Sequence, residues 1–230
     1  MTNETATLSR ETLPEARSVL VVCAHPDDES FGLGAAISTF GESGASTAVL
    51  CFTHGEASTL GVDVGDLGQV RSEELATAAV ELGVRDVELL HYGDGRLSEE
   101  PLEELSDHVD QMIDRSTADL LLVFDEGGIT GHADHCRATE AALLAARKRG
   151  VAVLAWAMDG EVATALNQEF GAGFIGRDAS QIDLSTRVDR SRQRRAIACH
   201  VSQASDNPVL RRRLALQGDR EVFRWLVSPR

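Results

Sequence analysis

Two short stretches of the chain concentrate side chains that hold cations and move protons. His25-Pro26-Asp27-Asp28-Glu29 sets one imidazole and three carboxylates within five residues. Gly131-His132-Ala133-Asp134-His135 sets two imidazoles three positions apart with a carboxylate between them. Carboxylates crowded and buried in this way repel one another unless a cation sits among them. Neither stretch closes a metal site alone. Together they supply two imidazoles and one carboxylate and leave a position open for water or substrate, the arrangement of catalytic rather than structural zinc. Two plainer readings compete. One is a turn whose Asp27 and Asp28 merely cap a helix beginning near Phe31, with Glu29 bracing the loop. The other is a dinucleotide loop at Gly32 and Gly34. Ile37 stands where GxGxxG requires its third glycine, and acidic residues crowd the place of a pyrophosphate.

The elements around these stretches alternate. Apolar, β-branched runs at 19–24 (VLVVCA), 47–53, 87–92, 120–125 and 151–158 read as strands buried on both faces. Helical patterns lie between them, over 31–42, 70–82 (stopped by Gly83), 101–115 and 134–149 (stopped by Gly150). Strand and helix alternating at this spacing predict right-handed crossovers and an α/β, Rossmann-like three-layer fold with a mostly parallel sheet. Ligands of such sheets bind at the C-terminal ends of the strands. Five of the seven histidines, His25, His54, His91, His132 and His135, fall at those ends, so the active site is expected there. His108 and His200 fall on predicted helices, and His108 is assigned to the surface. Beyond residue 159 the alternation loosens into a short helix (162–170), extended segments near 174–175 and 182–188, and a helix over 189–202. The last 25 residues show no decided pattern. Residues 1–17 read as an N-terminal extension and 18–230 as a single domain, with no linker or internal repeat.

Composition narrows the partners. The chain has 230 residues, 43% hydrophobic and 26% charged, enough for one substantial core. Its 22 basic and 37 acidic residues give a net charge of −15, unsuited to gripping a phosphate backbone, so no nucleic acid is expected. The arginines at 187–195 and 211–213 read as solvated helix faces. No apolar run reaches the ~20 residues of a membrane span, and the N-terminus lacks the apolar core of a signal peptide. The four cysteines form no CxxC pair and read as buried free thiols. Together these predict a cytoplasmic protein.

The motifs resemble the PIG-L/LmbE family of zinc-dependent N-deacetylases, which remove acetyl from N-acetylglucosamine-type substrates. The resemblance spans residues 18–203. It rests on AHPDDE at 24–29, RSEELATAAVELGV at 71–84, Gly93-Asp94-Gly95, TGHADH at 130–135 and AIACHVSQ at 196–203. It implies that His25, Asp28 and His135 bind zinc and that a zinc-bound water attacks the amide. Asp27 would be the general base. His132 would stabilise the oxyanion and help the amine leave, with Asp134 orienting or tuning His132. Arg71 and Asp94 match positions that bind sugar hydroxyls. The ligand set is also compatible with Fe(II), but hydrolysis needs no redox chemistry, which favours zinc.

The implied partner is a small-molecule N-acetylated amino sugar or glycoside, with no membrane insertion; a homo-oligomer is compatible. Two departures stand out. Ala133 replaces a common proline of the second motif, and Ile129 and Thr130 occupy the place where some members carry a tyrosine. His200 and Ser202 read as scaffold or pocket wall, and the loops 56–69 and 159–189 as the shapers of the substrate pocket. Two other functions compete: a zinc amidase cleaving a different amide, such as a thiol–sugar conjugate, and a non-catalytic sugar-binding module. The latter predicts a missing ligand or base, and none is missing.

Overall fold

Five apolar strands, β1 (Ser18–Cys23), β2 (Ser46–Thr53), β3 (Asp86–Tyr92), β4 (Leu120–Phe124) and β5 (Ala152–Asp159), bury nearly all their residues or pack at a half-buried edge. Strands of this kind need cover on both faces. A computed structural model describes residues 12–60 and 65–229 and shows how that cover is met. The five strands run parallel in the order β3-β2-β1-β4-β5. Their residues alternate between two cores, as period-2 side chains must. Val19, Val21 and Cys23 meet Ile37, Leu75 and Ala196 on one face, while Leu20 and Val22 meet Val109 and Ala142 on the other.

The helices supply the two covers. On the first face lie α1 (Asp28–Phe31), α2 (Gly34–Glu42) and α3 (Leu67–Leu82). On the second lie α4 (Leu102–Ser116) and, after a broken turn α5 (Gly128–Gly131), α6 (Ala133–Arg149). The Asp66 carboxylate caps α3 by accepting from the Gln69 N–H, and Gly83 ends it at φ 79, a conformation cheap only for glycine. The chain continues through α7 (Gly160–Phe170), β6 (Gly176–Arg177), β7 (Leu184–Arg187), α8 (Ser191–Cys199), α9 (Val201–Ala204), α10 (Pro208–Gln217) and β8 (Arg220–Val227).

Four differences from the sequence reading have physical reasons. The helix expected over 31–42 is divided into α1 and α2, because the chain presses against Phe124 at Gly32. A Cβ there would lie 2.3 Å from the Phe124 ring. The helix expected over 189–202 breaks at His200 (φ −83, ψ 60), whose ring turns inward. The undecided C-terminus forms α10 and β8. Asn207 caps α10 by accepting from the Leu210 N–H at 2.9 Å, with Pro208 in the first turn, a start signal present in the sequence. β8 lies antiparallel to β5, and β7 antiparallel to β8, so the sheet is mixed on that side. Finally, the extension does not stand apart over its described part: Leu13 and Ala16 pack on the core, and the Arg17 N–H donates to Asp119. Residues 1–11 lie outside the described residues. No helix among the described residues is long and apolar enough to cross a membrane.

Candidate active site

Adjacent strands β1 and β4 send the chain away in opposite directions, which opens a crevice at their carboxyl ends. Both motifs emerge there. After β1, the chain turns so tightly that the Asp28 Oδ2 accepts from the N–H groups of Ala24 and His25 at 3.1 and 2.9 Å. Asp27 takes φ 121, a strained conformation for a residue with a Cβ, of the kind that gathers at functional sites. Its side chain makes no capping hydrogen bond to α1, so the capping reading fails for it. After β4, Asp125 is pinned by Arg224 at 2.7 Å and by Arg177, and the following turn carries Ile129 at φ 68.

Hydrogen bonds behind two of the imidazoles assign their lone pairs. His25 Nε2 lies 3.0 Å from Asp94 Oδ1 and 3.3 Å from Asp134 Oδ2, so it carries a proton. His135 Nδ1 lies 3.1 Å from the Gly128 carbonyl oxygen and donates to it. When both rings are neutral, His25 Nδ1 and His135 Nε2 therefore point lone pairs at each other across 3.2 Å. Asp28 completes the triangle, with Oδ1 3.2 Å from His135 Nε2 and Oδ2 3.6 Å from His25 Nδ1. Tetrahedral bonds of about 2.0–2.1 Å to zinc separate ligand atoms by about 3.3–3.4 Å, so this donor set fits a small divalent cation. Positive charge is drawn to the spot in any form. Burial opposes charging His25, but the carboxylates of Asp134, Asp28 and Asp94 outweigh it and hold its pKa well above the ordinary value. Burial likewise opposes charging His135, and Asp28 raises it. Burial pushes Asp28 up, yet His135 and His25 hold it well below the usual carboxylate range.

Asp27 borders this triangle without joining it. Burial pushes its pKa up to about 6, against the pull of Arg71, with Asp28 adding to the rise and His200 and His25 opposing it. Arg71 is 3% exposed. Its guanidinium donates to Asp27 Oδ2 at 3.0 Å and to the carbonyl oxygens of Pro26 and Gly55. Its contacts are thus with Asp27 and two loops, and its Nε is buried without a partner. Asp94 faces His25 through Oδ1 and accepts from the Ala57 N–H through Oδ2 at 2.9 Å.

Asp134 meets His132 through its backbone and its charge rather than through a carboxylate hydrogen bond. The Asp134 carboxylate is fully buried and committed to His25 Nε2 and to the N–H groups of Gly95 and Leu97, at 2.7 and 3.1 Å. From the first turn of α6 it reaches the ring of His25, just past the end of β1, and so orients that imidazole. It is instead the Asp134 backbone N–H that donates to His132 Nδ1, at 3.3 Å. His132 is exposed, and its ring lies 4.9 Å from that of His25. Burial and the neighbouring His135 and His25 lower its pKa despite Asp134, so the ring is neutral with its proton on Nε2.

A brace that the motifs only hinted at lies beneath. Glu29, fully buried, accepts from the Asp27 N–H at 2.9 Å and pairs with the equally buried His200 at 2.7 Å. The two remaining strand-end histidines stand apart from the triangle of His25, Asp28 and His135 and pair with each other, His54 Nε2 to His91 Nδ1 at 2.9 Å. His108 is half-buried rather than at the surface, bonded to the Tyr92 hydroxyl at 3.0 Å.

Fold and site together define an α/β protein with an open two-histidine, one-carboxylate centre at the switch point of its sheet. The chain belongs to the PIG-L (LmbE-like) family: residues 20–146 match the family described as PIG-L: GlcNAc-PI de-N-acetylase. A 1D-myo-inositol 2-acetamido-2-deoxy-alpha-D-glucopyranoside deacetylase of Saccharomonospora viridis is 30% identical over 83% of this chain and 86% of its own. The chain spans about half the length of most of the curated relatives it matches. Among solved structures, N,N'-diacetylchitobiose deacetylase from Pyrococcus horikoshii is similar at a TM-score of 0.68, with 22% identity over 93% of this chain and 85% of that one. The 4-carboxy-2-hydroxymuconate hydratase GalB of Pseudomonas putida is similar at 0.70, with 18% identity over 93% and 97%. The fold is thus shared by different reactions, and the site must choose between them.

Proposed function

We propose that this chain is a zinc-dependent N-deacetylase of an N-acetylglucosamine-type small molecule in the cytoplasm. The observation that carries this reading is the convergence of His25 Nδ1, His135 Nε2 and Asp28 within 3.6 Å, beside a carboxylate, Asp27, that none of them uses as a partner. The activities named for its relatives support the substrate class. The unpaired thiols of Cys23 and Cys51 support the compartment. When bound by His25, Asp28 and His135, zinc supplies Lewis acidity toward the amide carbonyl and acidifies water.

The chain's own residues do the rest. Asp27, ionised at neutral pH with its pKa at about 6, takes the proton of the attacking water. It returns that proton to the sugar nitrogen as the C–N bond breaks, so one amide and one water become a free amine and acetate. His132 donates through Nε2–H to the carbonyl oxygen as charge builds there, a contribution of about 10²–10³ in rate. Asp134 and Asp94 hold His25 in register, and Asp94 keeps spare lone pairs for a sugar hydroxyl. Arg71 fixes the base. The test is amine release from a panel of N-acetylglucosaminides by metal-stripped protein and by protein restored with zinc or iron. Release that depends on added zinc is expected; none from any sugar under either metal overturns the reading.

A further inference from the structure

Beside the metal donors lies a pocket larger than an acetyl group requires. Its volume is about 160 Å³, and Asp28 and His135 form part of its wall, so it opens directly onto the centre. The rest of the wall is largely apolar, with Phe31, Phe124, Ile129, Trp156, Phe174 and Leu210. None of Asp27, His132, Arg71 and Asp94 lines it. The amide carbon carries its amine on one side and its acyl chain on the other. The sugar amine belongs with the polar groups, which leaves the acyl chain facing this pocket. An acetyl group would place a single methyl there, whereas an apolar cavity of roughly 150 Å³ admits a benzene ring.

The walls are held in place rather than left to collapse. The Trp156 indole donates to Glu221 at 2.6 Å, and the Phe174 backbone is bonded in both directions to the Asn167 side chain, at 2.7 and 2.8 Å. The Ile129 carbonyl oxygen accepts from the Ile175 N–H at 2.7 Å, which ties the two loops of the wall together. Arg213 also lines the pocket, but its guanidinium sits 5.2 Å from the centre of the Trp156 ring and donates to the Phe31 carbonyl oxygen. Its charge is engaged within the wall.

We propose that the enzyme cleaves N-acyl amino sugars whose acyl group is an unbranched chain of about four to six carbons in preference to N-acetyl sugars, the chain lying among Phe31, Phe124, Ile129 and Leu210. This rests on the amide hydrolysis proposed above, with its donors and base, and replaces the acetyl group of that reading with a longer acyl chain. Water is consumed, the amide C–N bond breaks, and the products are the free amine and a short fatty carboxylate.

The experiment measures kcat/KM of zinc-loaded protein on N-acyl glucosamines from acetyl to octanoyl, with N-succinyl alongside, and binding of acetate and hexanoate to metal-free protein by methyl NMR. Each added methylene up to about five or six carbons should raise kcat/KM by about fourfold, with a fall beyond. Leu210→Trp should cut the hexanoyl-to-acetyl ratio by at least tenfold, and Phe174→Ala, on a loop, should move the optimum one or two carbons longer. Because the readout is a ratio within one protein, partial loss of folded enzyme does not imitate it. Hexanoate should bind the metal-free protein more tightly than acetate and lose that advantage in Leu210→Trp. A flat or falling series, or a preference for succinyl set by Arg213, overturns this proposal alone. Release from no acyl sugar overturns the parent reading instead.

Discussion

His25 Nδ1 and His135 Nε2 stand 3.2 Å apart although 110 positions separate the residues. Each ring is bonded from behind to a carboxylate or carbonyl oxygen, so two lone pairs and the Asp28 carboxylate face one small volume. Such a contact costs free energy unless positive charge fills it. Against burial, the surrounding carboxylates, Asp134, Asp28 and Asp94 for His25 and Asp28 for His135, raise both pKa values, and the same triangle fits a divalent ion.

The ligands and the base should separate experimentally. His25→Ala and His135→Ala are expected to lose zinc, read by metal analysis after dialysis. Asp27→Asn should keep the metal and lose about 10²–10⁴ of turnover. Full turnover by Asp27→Asn would sink the assignment of the base.

Asp134 should act on the metal through His25 rather than on the charge of His132. Asp134→Asn is expected to weaken zinc binding by about 10–100-fold, measured by competition with a chelator. An unchanged zinc affinity, with a shifted His132 titration by NMR, would restore the pairing expected from the sequence.

The Asp27 carboxyl of the metal-free protein should titrate at about 6, since burial outweighs the Arg71 cation that lowers it. Removing a lowering influence raises a pKa, so Arg71→Gln should move the titration upward. Carbon NMR of labelled aspartate reads it; a downward move would contradict the electrostatics described.

The buried His200–Glu29 pair should make stability depend on pH. Burial opposes charging His200, but Glu29 wins and raises its pKa in the folded protein. A raised folded-state value favours the protonated form. The stabilisation is therefore complete below the ordinary value of about 6.5 and fades as pH climbs through the raised one. Urea unfolding of wild type and His200→Gln should show a gap of about 1.5–3 kcal/mol at the acid end that narrows toward pH 9. A gap that widens with pH is the contrary result.

Much of this protein was readable from its residues. Period-2 runs such as VLVVCA and the glycine stops at Gly83 and Gly150 are local features, set by side-chain alternation and backbone strain, and they placed five strands and their crossovers correctly. The two motifs carried their ligand chemistry for the same reason, since imidazoles and carboxylates at strand ends are informative wherever the strands lie. The tertiary structure decided what depends on distant partners. Which of five strand-end histidines turn their ring nitrogens toward one another followed from β1 and β4 being neighbours while β2 and β3 lie farther out. That Asp134 serves His25, that Arg71 holds Asp27, and that Glu29 rests on His200 follow from side chains meeting across roughly 40 to 170 positions of chain, a range no local periodicity encodes. The antiparallel β8 escaped for the same reason: its burial is conferred by β5, and nothing in its own eight residues announces that neighbour.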